Sequence, residues 1–148
     1  FVGSLPWTSP EQAQGAHDQV DMRTDVYALG VVLYQTLTGA FPYDVAGPMR
    51  DVLNRIVSDE PVRPSRIRPN IDRDVEAIAL KCLRKEPHRR YQTAGELGRD
   101  IERYLNGAPV AARSEATPSS AALLVPSSSA TLRRTPCSSS WSWWDTPQ

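Results

Sequence analysis

Few side chains in this chain of 148 residues have the type and spacing that chemistry requires. The two histidines, His17 and His88, stand far apart. Neither has a cysteine nearby at metal-ligand spacing, so a zinc centre is not expected. The two cysteines, Cys82 and Cys137, are too few for a disulfide scaffold, which points to a reduced, cytoplasmic type of chain. No Gly-x-Ser-x-Gly and no Cys/His pair marks a nucleophile. No Gly-x-Gly-x-x-Gly and no P-loop marks a phosphate cradle. The acidic residues are scattered and read as helix caps or solvated faces. On residue chemistry alone the chain is a mostly helical domain with no catalytic set.

Charge excludes further classes. Seventeen Lys and Arg balance seventeen Asp and Glu, so nothing calls for nucleic acid or an anionic membrane. No apolar run approaches the roughly 18–20 residues of a membrane span. The first residues, Phe1-Val2-Gly3-Ser4, have neither the basic nor the apolar region of a signal peptide. The missing start Met suggests a chain cut from something longer.

The elements that would position any site are helices. Met49, Val52, Leu53, Ile56 and Val57 form one helical stripe, opened by Gly47-Pro48. Val75, Ile78, Ala79, Cys82 and Leu83 form a second, with Asp72 as cap and Pro87 as stop. Leu97, Ile101, Tyr104 and Leu105 form a third, with Thr93 and Glu96 as a capping box and Gly107 and Pro109 beyond. Val26 to Tyr34 are apolar on all sides; their β-branched content would suit a buried strand, but the length of residues 26–37, Asp25 as cap and Gly39 at the far end favour a helix buried on every face. Residues 60–71 carry Pro61, Pro64 and Pro69 and read as an extended loop. The composition shifts near residue 113. Residues 114–148 are rich in Ser, Thr and Pro and are expected to be a disordered tail. Arg133-Arg134-Thr135-Pro136 has the look of a phosphorylation site, and Trp141, Trp143 and Trp144 read as a terminus without a role.

Four segments carry a resemblance. Gly3-Ser4-Leu5-Pro6-Trp7-Thr8-Ser9-Pro10-Glu11 resembles the end of a protein kinase activation segment. Asp25-Val26-Tyr27-Ala28-Leu29-Gly30 resembles the start of the long central helix of the kinase C-lobe, and Thr38-Gly39-Ala40-Phe41-Pro42-Tyr43 its end. Leu83-Arg84-Lys85-Glu86-Pro87-His88-Arg89-Arg90-Tyr91 resembles the L-x-K-[DE]-P-x-x-R segment near the close of that domain. In order and spacing the four are similar to bacterial serine/threonine kinases of the eukaryotic-like type. The resemblance implies a mainly α fold, the C-terminal lobe of a protein kinase over residues 1–113, incomplete.

The resemblance also assigns roles. Ser4 takes the place of the family Thr that closes the substrate site. Leu5, Trp7 and Ser9 fall on the wall for the residue after the phosphoacceptor. Glu11 matches the Glu that pairs with a buried Arg, here Arg90. Asp25 matches the Asp that anchors the catalytic loop. The implied parent activity is transfer of the ATP γ-phosphoryl group to Ser or Thr of protein substrates, with Mg2+. The Gly-rich loop, strand Lys, H-R-D-x-x-x-x-N loop and D-F-G are all missing from this sequence. His88-Arg89-Arg90 only mimics the catalytic loop, because Asp is lacking. The chain by itself is therefore expected to hold no catalytic residue, ATP or Mg2+. The other reading of the resemblance is a kinase-like scaffold that binds partners.

Overall fold

The computed structural model describes residues 5–16, 18 and 20–116. The expectations for Ser4, His17 and the tail beyond residue 116 lie outside the described residues. A 3-10 turn at Leu5–Trp7 is followed by α1 (Pro10–Ala13), α2 (Met22–Thr38), α3 (Met49–Ser58), α4 (Pro64–Ile67) and α5 (Arg73–Cys82). A second 3-10 turn, Pro87–Arg89, leads to α6 (Ala94–Leu105) and α7 (Ala111–Ala116). There is no strand among the described residues.

The centre is α2, and its side chains divide the core in two. Val26 packs with Ile78, Cys82, Tyr91, Leu97, Val110 and Ala112. Tyr27, Val31 and Tyr34 pack with Tyr43, Val52, Ile56 and Leu83. The approach of α2 to α5 depends on Gly30: a Cβ there would lie 2.4 Å from Cys82 Cβ. No side chain fits in that space, so the two helices touch backbone against side chain.

Two expectations for α2 need correction. The helix starts earlier than its apolar run, because Asp21 caps it by accepting the Arg23 N–H at 2.8 Å; Asp25 lies exposed in the first turn and caps nothing. The helix is also not buried all round, since Leu29 is 45% and Val32 48% exposed. At the far end Gly39 takes φ 78°, where a side chain would be strained, and its N–H reaches Gln35 O at 2.8 Å.

The outer helices follow their stripes with local departures. α3 buries Val52 and Ile56, and Pro48 sits at its cap rather than in its first turn. In the Pro-braced segment Pro64 opens one helical turn, where its missing N–H costs nothing. The same segment is tied to α2 by Tyr34 Oη, which donates to Val62 O at 2.7 Å. α5 stops at Cys82, well before Pro87, which instead opens the second 3-10 turn. In α6 Thr93 accepts from Glu96 N at 3.1 Å, but the Glu96 carboxylate takes the N–H of Gln92 instead of Thr93. Leu105, expected on the inner stripe, is 74% exposed. α7 was not foreseen, and it crosses the boundary expected at residue 113.

Candidate functional site

The segment of interest is the loop entering α1. Ser9 is fully buried and caps α1: its Oγ accepts from Gln12 N, while Gln12 Oε1 accepts from Ser9 N at 3.0 Å. Pro10 occupies the first helical turn, where its missing N–H is free of cost. That reciprocal box fixes the direction in which Leu5–Thr8 leave the helix. Leu5 and Trp7 are half-buried against the cluster around Tyr27 and Val31. Trp7 meets Phe41 edge to face, with ring centroids 5.4 Å apart. Of Leu5, Trp7 and Ser9, then, Ser9 turns inward and the other two stay partly open.

Below the loop sits Glu11, 3% exposed. Its two carboxylate oxygens receive Arg90 Nη1 and Nη2, each at 2.8 Å, across 79 positions of sequence. Thr24 Oγ1 donates to the same carboxylate at 2.8 Å. The remaining donors of Arg90 are also used. Nε reaches Arg84 O at 2.7 Å, Nη1 reaches Arg23 O at 3.1 Å and Nη2 reaches Lys85 O at 2.9 Å. All five N–H groups of the guanidinium are thus satisfied, the condition for burying such a charge. Its plane also stands 5.0 Å from the Tyr27 ring centre. One side chain therefore joins α1, the start of α2 and the turn after α5.

Burial alone would raise the Glu11 carboxyl. The bonds from Arg90, from its own backbone and from Thr24 outweigh that and hold it at about 2. Neighbouring Arg89 is outside the node: its side chain is 57% exposed, and its nearest carboxylate is Glu86 at 3.9 Å.

Residue patterning missed two supports. Lys85 Nζ donates to Tyr43 Oη at 2.8 Å and to Ile56 O, and stands 4.1 Å over the Tyr43 ring. Burial pulls its amino group down to about 8. Asp100 is 1% exposed and accepts from Tyr91 Oη at 2.7 Å, Ala111 N at 2.7 Å and Ala112 N at 3.0 Å. Its carboxylate holds the start of α7. A signal existed in the sequence, since an Asp at position 100 falls on the apolar stripe of α6.

The site offers a shaped loop on a braced helix. Among the described residues no group of three or more His, Cys, Asp or Glu could hold a metal ion. The described residues offer no cluster of carboxylates that would fit an ATP–Mg2+ complex. No helix among them is long and apolar enough to cross a membrane.

Comparison with known proteins adds the relationship. The protein kinase domain family matches residues 1–99. Serine/threonine-protein kinase PknB of Mycobacterium tuberculosis is 44% identical over 108 residues, which is 73% of this chain and 17% of that protein. A probable serine/threonine-protein kinase of Streptomyces coelicolor is 43% identical over 111 residues, 75% of this chain and 16% of the relative. One from Clostridium acetobutylicum is 43% identical over 96 residues, 65% of this chain and 14% of the relative. The chain thus spans only a small part of the relatives it matches. The matched segment takes in the loop, the Glu11–Arg90 node and the central helix, and the chain belongs to the protein kinase family as C-lobe sequence of the bacterial eukaryotic-like serine/threonine type.

Proposed function

We propose that this segment is the substrate platform of a serine/threonine protein kinase. The parent transfers the ATP γ-phosphoryl to Ser or Thr of protein substrates, with Mg2+ held by residues outside this sequence. Leu5 and Trp7 form the wall for the residue after the phosphoacceptor. Ser9 acts through its cap, by fixing the loop's direction, and Ser4 takes the part of the family Thr through its hydroxyl. Asp25, Leu29 and Val32, exposed along one face of α2, meet the catalytic part of the domain. The domain portion covers residues 1–113 and works in the cytoplasm, any membrane anchor of the parent lies outside this segment, and this segment contacts neither nucleic acid nor membrane.

The observation that carries the reading is the bidentate Glu11–Arg90 pair. A loop that must present a peptide in register needs an anchor, and this one ties α1 to the start of α2 and to the turn after α5. Phosphoryl transfer depends on such positioning, since little covalent chemistry falls to the protein.

The test has two arms. The purified 148-residue chain is expected to transfer no phosphoryl group. Residues 1–113, grafted in place of the matching segment of the M. tuberculosis relative, are expected to leave an active kinase. In that chimera Trp7→Ala should raise KM for a peptide substrate and leave KM for ATP unchanged. A folded chimera without activity would favour the scaffold reading, and an equal change in both KM values would remove Trp7 from the platform.

A further inference from the structure

The chain is electrically neutral overall, yet one open cleft is not. The cleft has a volume of about 910 Å3 and lies beside α5, on the side turned away from α2. Val75, Ile78, Ala79 and Cys82 of α5 are buried in the core, whereas Ala77, Leu80 and Lys81 line the cleft. Six Arg or Lys side chains and His88 contribute to its walls, against a single carboxylate, Glu76. That carboxylate is already engaged, accepting from Ser65 N at 2.6 Å.

Some of the cations are neutralised by neighbours. Arg113 pairs with Asp74 at 2.8 Å, and Arg89 lies 3.9 Å from Glu86. Arg63, Arg73 and Arg84 are different. They come from three separate parts of the chain and make no ion pair among the described residues. Arg73 moreover occupies the first turn of α5, the helix end at which a positive charge is disfavoured. Like charges gathered in one concave site repel each other, and the arrangement makes sense when an anion completes it.

The chemistry of the walls narrows that anion. Arg presents a planar fork of N–H donors that matches phosphate oxygens, and five of the six cations here are Arg. A concave site suits a discrete anionic group, where a flat basic face would suit a membrane. Its volume far exceeds that of a phosphate ion, which leaves room for the chain that carries the group. We propose that this cleft binds a phosphorylated Ser or Thr side chain within a peptide segment. The inference rests on the kinase reading only in that kinases produce such groups. It places a phosphopeptide dock on the C-lobe, away from the substrate loop.

The test is binding, which needs no catalysis and so stands apart from any failure of the kinase reading. The full 148-residue chain is titrated, by fluorescence anisotropy, with a labelled phosphothreonine peptide and its unphosphorylated twin. The phosphorylated form is expected to bind more tightly and to weaken as salt is added. The triple variant Arg63→Gln, Arg73→Gln, Arg84→Gln should lose affinity by roughly tenfold or more, as three charge-assisted contacts go. Its thermal transition should stay in place, because the bond to Arg84 uses the backbone carbonyl. Arg99→Gln, exposed on α6 away from the cleft, should bind as the parent does. Equal binding of the two peptides, or an unaffected triple variant, would overturn the proposal. So would inorganic phosphate binding as tightly as the peptide, which would make this a free-phosphate site. Binding to phosphatidylserine vesicles with none to the peptide would overturn it in favour of a membrane.

Discussion

Glu11 and Asp100, two of the buried carboxylates among the described residues, are held by opposite means. Glu11 meets a full guanidinium drawn from 79 positions away, with Thr24 beside it. Asp100 meets a phenol and two backbone N–H groups from within twelve positions, and the Arg103 side chain at 3.3 Å is half exposed. Both carboxyls are held below the usual range against the opposing effect of burial. The means differ in what they leave behind. Without Glu11 a buried cation is stranded, whereas without Asp100 only neutral donors are. The first node holds distant elements in one arrangement, and the second is a local clasp for the end of the chain's body. The loop ahead of α1 is fixed by the stricter of the two.

The largest effect expected is from removing half of the charged node. Glu11→Gln should destabilise the chain by about 3–5 kcal/mol in urea unfolding, since it leaves Arg90 uncompensated. Arg90→Lys should also be poorly tolerated, because an ammonium cannot reproduce five fixed donors. The double variant Glu11→Gln, Arg90→Met should cost less than the sum of its single changes. Simple additivity would mean that the pair does not act as a unit.

Acid should separate the nodes next. A carboxyl depressed on folding adds stability that is complete above its unfolded value and is lost as pH falls through the folded one. For Glu11 that window runs from 4.5 down to about 2. Over it the stability should fall by roughly 2 kcal/mol, allowing for screening. Unfolding of the Glu11→Gln chain should lack most of that acid limb, and a chain that keeps it would assign the limb to other groups.

The clasp should yield less. Asp100→Asn keeps the shape but turns an amide N–H2 toward donors, at a cost of about 1–2 kcal/mol. Hydrogen exchange should show the loss concentrated at Ala111 and Ala112, and a loss spread over α2 would make the two nodes one network. Smallest of all is Arg89→Ala, expected to stay within about 0.5 kcal/mol because the side chain faces solvent. A larger loss would mean that position 89 shares the work of position 90.

How much of this was legible in the sequence varied with range. The stripes of α3, α5 and α6 are local and could be read directly, down to Asp72 and Thr93 as caps. The meeting of Glu11 with Arg90 is not local, and only the resemblance pointed to it. The outer face of α2 was misread because an apolar run reports affinity for a core and does not say which neighbours are present. Leu29 and Val32 are apolar and still half exposed. Asp100 was overlooked although it sits on the stripe of α6, where a charge signals a satisfied partner more often than an error.

The closeness of α2 and α5 at Gly30 leaves a chemical reporter in the core. Cys82 is fully enclosed, and burial pushes its thiol up to about 12, so almost no thiolate exists while the helices touch. A maleimide can react only after α2 and α5 have parted. In a chain carrying Cys137→Ser, the rate of labelling therefore clocks how often the centre of this lobe opens, one helix pair at a time.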